Sequence, residues 1–335
     1  MTKNNESPEP YHHIGILGGG AWGTALAIVA AEAGRSVILW TRDPDLAGAM
    51  ARKRENARFL PGVELPSRIA ATVERKEAEE ADAILAVVPA QATRELLAGA
   101  RVRPGTPLVL CMKGMEHGSG KLMTEVLAET VPAAEPAILS GPSFARDVAR
   151  NLPTAVTIAA RTPIAQRLQA SLGHMAFRPY ASEDLIGVAL GGAAKNVYAI
   201  GCGIVRGLGL GESARAALLS RCFAELRRFG RALGGRAETL MGLSGLGDLV
   251  LTATSPTSRN YSFGLALGRG SALAELRAPG ADLAEGVETA PALVERARHL
   301  AIELPIAHVL ADILDGAIAP AEALPRLMAR PFKME

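Results

Sequence analysis

Ile14-Gly15-Ile16-Leu17-Gly18-Gly19-Gly20-Ala21-Trp22-Gly23 is the stretch that decides the fold. The apolar run Ile14–Leu17 reads as a short buried strand, and the alanine-rich stretch Trp22–Ala33 reads as a helix. Between them Gly18, Gly20 and Gly23 have the G-x-G-x-x-G spacing of a dinucleotide-binding turn. The first glycine permits the tight turn, the second lets backbone approach a pyrophosphate, and the third lets the helix pack on the strand. The helix N-terminus then presents unpaired N–H groups to the phosphates. Glycine is frequent in this chain (35 residues), so the spacing alone is weak; its place between strand and helix makes it specific.

Working outward, the first half alternates strand-like and helix-like stretches. Strands are expected at Ser36–Trp40, Ile69–Ala71, Ala83–Val88, Leu108–Met112 and Ala137–Leu139, with helices at Asp45–Glu55, Ala90–Ala98 and Lys121–Glu129. Runs such as Ala-Ile-Leu-Ala-Val-Val have no polar face, the mark of a parallel sheet covered on both sides. A further strand–helix–strand unit, Ala155–Ala160, Ile164–Leu172 and Ala176–Arg178, extends that sheet. After about Tyr180 strand signals stop and helical stretches take over, from Glu183–Val205 to Ala290–His299. The fold class is α/β: an N-terminal Rossmann-type doubly wound sheet over residues 13–181, then an all-α C-terminal domain over 182–330. Residues 1–12 read as a flexible tail.

Bulk properties narrow the function. The chain has 335 residues, 49% hydrophobic and 21% charged, with a net charge of +2. That charge is too small to make nucleic acid or a membrane surface the expected partner. Three scattered cysteines and six histidines without ligand spacing argue against a disulfide framework and against a metal site. The first ten residues are polar, so a secretory signal is not expected. No integral membrane segment is expected either, and the reading is cytoplasmic.

Several residues can carry chemistry. Lys195 lies in Gly191-Gly192-Ala193-Ala194-Lys195-Asn196, a helical stretch nearly free of other charge. A lysine there either snorkels to the surface or is held in a cleft, where desolvation disfavours its ammonium form and suits proton exchange. Lys113 follows the strand Leu108–Met112 and can bind an anion from a loop at the crevice, or simply be exposed. Asp248 follows the glycine loop Gly242–Gly247 and is either a helix cap or part of a site. Ser258, Arg259 and Asn260 precede a helix and suit a phosphate, or form a capping turn. Gly141-Pro142-Ser143-Phe144-Ala145 is a second glycine turn at a strand end. After the second strand, Thr41-Arg42-Asp43 places a cation where a 2′-phosphate would lie, which favours NADP, although Asp43 can still serve NAD.

Together these segments resemble the bacterial NAD(P)-dependent glycerol-3-phosphate dehydrogenases over residues 13–330. The resemblance rests on GGGAWGTALA (18–27), NARFLPG (56–62), CMKGME (111–116), GPSFARDVA (141–149) and GLSGLGDLVLTATSPTSRN (242–260), supported by KNVYAIGCGI (195–204) and AEGVETA (284–290). It implies a 6-phosphogluconate dehydrogenase-like architecture. It also implies interconversion of dihydroxyacetone phosphate and sn-glycerol 3-phosphate with NADPH or NADH, feeding phospholipid synthesis. Lys195 would be the general acid/base, with Asp248 beside it as a catalytic partner. Substrate contacts would be Lys113, Gly141, Ser143, Lys195, Asp248, Ser258, Arg259 and Asn260. Cofactor contacts would be Gly18, Gly20, Ala21, Trp22, Gly23, Arg42, Lys113, Ala145, Arg259, Leu283 and Glu285.

Three positions depart from the family pattern: Ala21 stands where serine is common, Phe59 where tyrosine is usual and Leu283 where valine is typical. The oligomeric state stays open, with a homodimer the candidate assembly. Competing readings are a ketopantoate reductase or β-hydroxyacid dehydrogenase, and a nucleotide-sensing protein without catalysis.

Overall fold

The computed structural model describes residues 8–278 and 284–329. The chain divides into two compact units. One runs to Met112 and resumes over Met123–Val188; the other takes Lys113–Leu122 and continues from Ala189. The division expected near residue 181 therefore falls later, and the second unit also claims a short excursion from inside the first.

The first unit is built on eight strands: β1 (His13–Leu17), β2 (Ser36–Trp40), β3 (Ile69–Thr72), β4 (Ala83–Ala86), β5 (Pro107–Leu110), β6 (Glu135–Ser140), β7 (Thr154–Ala159) and β8 (Phe177–Ser182). Their order in the sheet is β3-β2-β1-β4-β5-β6-β7-β8. The order reverses between β1 and β4, and the glycine turn leaves the carboxyl end of β1 at that switch point, where doubly wound sheets bind ligands. β4 and β5 are buried at every position, as their unbroken apolar sequences require. Each fully buried Leu or Ile there contributes roughly 1.5–3 kcal/mol. β8 is an edge strand, which is why it tolerates Pro179 in mid-strand.

One pairing departs from the parallel pattern: β6 and β7 run antiparallel. The link between them holds only the short helix Ala145–Ala149, not a full crossover helix, so the chain turns back on itself. The tail expected over residues 1–12 is shortened by an anchor at Tyr11. Its backbone N–H donates to Ser171 Oγ at 2.7 Å, and the Arg167 guanidinium lies 4.0 Å over its ring.

The second unit is helical. Its central element is the helix Leu185–Gly207, most of which belongs to this unit. By length and composition this helix could cross a membrane, but 94% of its most apolar window is buried inside the protein. Glycine makes it a poor helix former on propensity alone, so packing holds it. Gly203 shows the reason for so much glycine: a Cβ there would sit 2.1 Å from the Tyr261 carbonyl of the neighbouring helix Arg259–Gly268. Buried Glu225 accepts from the N–H groups of Ile306 (2.7 Å) and Ala307 (3.2 Å), capping the helix Pro305–Leu314. Burial raises the Glu225 carboxyl above its usual range.

Candidate functional site

In the first unit, the turn after β1 has the properties its sequence demands. Gly18 adopts φ +134°, a conformation that favours glycine, and a Cβ there would lie 2.2 Å from the Val87 carbonyl. Open space surrounds Gly20. Among the described residues no side chain caps the helix Ala21–Glu32 at Gly20, so its first N–H groups are left to a ligand. Trp22 Nε1 is buried without a hydrogen-bond partner among the described residues. An uncapped helix end, an unfilled approach at Gly20 and an orphaned donor together fit a dinucleotide pyrophosphate.

The carboxamide of Asn56, fully buried, holds this turn from behind. Its Nδ2 donates to the Gly19 carbonyl at 2.9 Å and to Thr24 Oγ1 at 2.7 Å. In the sequence Asn56 is visible only as the first residue of NARFLPG. No local spacing marks it, because its partners lie more than thirty residues away. Gly141 ends β6 at φ +153°, and the Ser143 hydroxyl donates back to its carbonyl at 3.0 Å. Ala145 opens the helix that follows. Arg42 is exposed, with no partner among the described residues.

In the second unit, the residues expected to act together do meet. Lys195 Nζ donates to Asp248 Oδ1 at 2.6 Å and to Thr252 Oγ1 at 2.8 Å. Lys113 Nζ donates to the other oxygen, Asp248 Oδ2, at 2.6 Å. Thr252 lies one helical turn beyond Asp248, and its hydroxyl donates to Oδ1 at 3.2 Å. Lys195 is 7% exposed and Asp248 is fully buried. Such burial carries a desolvation cost that excellent geometry must offset, and removing one partner typically costs about 3–5 kcal/mol. Burial is the largest influence on Lys195 and pulls its ammonium down to about 8, against the opposing pull of Asp248. Two ammoniums thus share one carboxylate.

Backbone packing sets this geometry. Residues Leu243–Gly247 form a single π-helical turn leading into the helix Asp248–Thr254. Such turns are wide and frequent at functional sites. Gly191 lets the lysine helix press against it: a Cβ at Gly191 would sit 2.5 Å from the Ser244 carbonyl. Lys195, one turn after Gly191, then meets Asp248, one turn after Ser244.

A chain of amides runs behind the cluster. The Gly286 N–H donates to Asn260 Oδ1 (2.8 Å), Asn260 Nδ2 to Asn196 Oδ1 (3.0 Å), and Asn196 Nδ2 to the Lys113 carbonyl (2.9 Å). Asn260, expected to touch substrate, thus has both ends of its carboxamide engaged. Ser258 caps the helix Arg259–Gly268, accepting from the Tyr261 N–H at 3.2 Å. Arg259 is exposed and without a partner among the described residues. Glu285 begins the helix Glu285–His299 and raises the Lys195 pKa through its charge. Leu283 lies outside the described residues. Thr252 and Asn196 were not singled out from sequence; Thr252 carries a signal, its helical spacing from Asp248, and Asn196 carries none.

Family models described as the N-terminus and C-terminus of NAD-dependent glycerol-3-phosphate dehydrogenase match residues 13–165 and 184–325. A protein of Bradyrhizobium sp. (strain BTAi1), named glycerol-3-phosphate dehydrogenase [NAD(P)+], is 56% identical over 97% of this chain and 99% of its own length. The crystal structure of glycerol-3-phosphate dehydrogenase from Coxiella burnetii superposes with a TM-score of 0.90 at 39% identity, covering 96% of this chain and 99% of that one. A ketopantoate reductase structure from Ralstonia eutropha reaches a TM-score of 0.57 at 16% identity over 93% of this chain and 99% of its own, a likeness of fold alone.

Proposed function

This chain belongs to the NAD-dependent glycerol-3-phosphate dehydrogenase family, and on that footing we propose how its residues divide the work of the reaction. The protein is an NAD(P)-dependent oxidoreductase that reduces dihydroxyacetone phosphate to glycerol 3-phosphate. When bound, the dinucleotide supplies the hydride. The uncapped helix end after Gly20 and the orphaned Trp22 Nε1 hold its pyrophosphate region.

Lys195 gives a proton to the substrate's C2 oxygen as negative charge develops there. The observation that carries this role is its ammonium, buried, aimed by Asp248 and Thr252, and lowered to about 8. A proton donor works best when its pKa lies near the working pH. Asp248 orients the lysine and balances its charge. The second ammonium, on Lys113, is placed to meet an anionic substrate. Arg259, exposed and without a partner among the described residues, and the helix start capped by Ser258 offer further donors to an anion.

NADPH is the preferred cofactor in this reading. Arg42, just past the end of β2, has no partner among the described residues, while the Asp43 carboxylate caps the helix Pro44–Lys53 by accepting from the N–H groups of Asp45 and Leu46. The finer expectations are cytoplasmic action, supply of phospholipid synthesis and a homodimer, the last decided by light scattering on the purified protein. Mixing that protein with dihydroxyacetone phosphate and following loss of NADPH and NADH in parallel tests the whole reading. Turnover favouring NADPH supports it. Equal turnover overturns the cofactor preference, and turnover with neither cofactor overturns the substrate.

A further inference from the structure

Asp43 stands just past the end of β2, where an acidic residue ordinarily accepts a hydrogen bond from the ribose 2′-hydroxyl of NAD. Here neither of its carboxylate oxygens is idle. Oδ1 takes the N–H groups of Asp45 (3.0 Å) and Leu46 (3.1 Å), and Oδ2 takes Arg58 Nη1 at 2.9 Å. The Arg58 guanidinium lies 5.0 Å over the ring of Phe59, which is 42% exposed. Its own side chain is 65% exposed, so its other N–H groups face solvent. Arg42 adjoins Asp43 in the chain, so the same strand end carries a second guanidinium. The loop that carries Arg58 is itself fixed: Arg54 donates to the carbonyls of Leu65 and Ile69, and Asn56 to that of Gly19.

We propose that Arg58 is a specificity-determining residue for the adenosine 2′-phosphate: it occupies the Asp43 carboxylate and offers its remaining N–H groups to the phosphate alongside Arg42. The inference rests on the NADPH preference argued above and goes beyond it. A planar guanidinium with five donors can hold a carboxylate and a phosphate at the same time, which a lysine cannot do as well. Phe59, without a hydroxyl, serves as the flat surface that keeps the guanidinium in place.

The test is steady-state kinetics with NADPH and NADH on wild type, Arg58→Gln, Arg58→Lys and Arg42→Gln. Arg58→Gln is expected to lower kcat/KM for NADPH about tenfold, carried by KM with kcat nearly unchanged. Its kcat/KM for NADH should hold or rise, because Asp43 Oδ2 becomes available to the ribose hydroxyl. Arg58→Lys should recover part of the loss. A merely structural arginine would lower both cofactors together, so an NADPH-to-NADH ratio left within about twofold of wild type overturns the proposal. If wild type prefers NADPH and Arg42→Gln abolishes that preference while Arg58→Gln leaves it, the role of Arg58 fails alone. If wild type shows no preference, the cofactor reading itself fails and Arg58 with it.

Discussion

The turn from Gly18 to Gly23 carries no ionised side chain; it offers a ligand backbone N–H groups and empty space. The cluster at Lys195 holds three ionised side chains within 2.6 Å contacts, nearly sealed from solvent. Both arrangements suit anionic ligands, yet they fail differently. Dipoles fixed in backbone keep their sign at any pH and are lost only when the chain moves. Charges held on side chains depend on protonation and on one another. The first arrangement suits a pyrophosphate, a part of the cofactor that the reaction leaves untouched; the second suits a step in which a proton changes hands.

Substitutions can sharpen that contrast. The largest effect is expected from Lys195→Met, which should depress kcat by roughly 10²-fold or more while NADPH binding, read by fluorescence titration, stays near wild type. Near-normal turnover would remove Lys195 from the chemistry. Gly191→Ala comes next. Its Cβ would meet the Ser244 carbonyl at 2.5 Å, so the lysine helix must back away from the π turn. Overpacking of this kind costs about 1–3 kcal/mol, and kcat should fall with little change in cofactor affinity. A variant with wild-type melting temperature and kcat would show that the close approach is not needed.

Asn56→Ala attacks the other region. It leaves the Gly19 carbonyl and the Thr24 hydroxyl without their donor, a loss of about 1–3 kcal/mol. KM should rise for NADPH and NADH alike with kcat preserved; a change in kcat alone would contradict the assignment.

The smallest effect is a shift along the pH axis. With Lys195 as the proposed proton donor, reduction needs it protonated, so the rate should fall as pH rises through about 8. Glycerol 3-phosphate oxidation needs the neutral amine and should rise through the same midpoint. Asp248 favours the ammonium, so Asp248→Asn should move that midpoint downward. A profile flat from neutral to alkaline pH would detach the lysine from the rate.

The two regions also differ in how far sequence alone reveals them. The glycine turn is local, its meaning complete within a few residues, and the sheet around it follows from apolar runs that need no partner to be recognised. The cluster draws on positions 113, 195, 248 and 252, and nothing in their spacing says they meet; family resemblance linked three of them. Lys195 amid small residues was ambiguous because burial is a property of the fold. The antiparallel return of β7 was invisible because an apolar run has no direction. Asn260 illustrates the converse. Its place in the motif was plain, but its carboxamide spans Asn196 and Gly286, a role only neighbours in space define.

The second unit is not one continuous length of chain; Lys113–Leu122 is drawn from the middle of the first. During synthesis Lys113 leaves the ribosome long before Lys195 and Asp248 exist. It must therefore wait for most of the later chain before its ammonium and its carbonyl find their partners. A fragment beginning at Ala189 would carry Lys195 and its carboxylate partner Asp248, yet lack the second ammonium and the terminal acceptor of the amide chain. Gene dissection at the apparent border would thus separate the buried charge cluster from one of its own members.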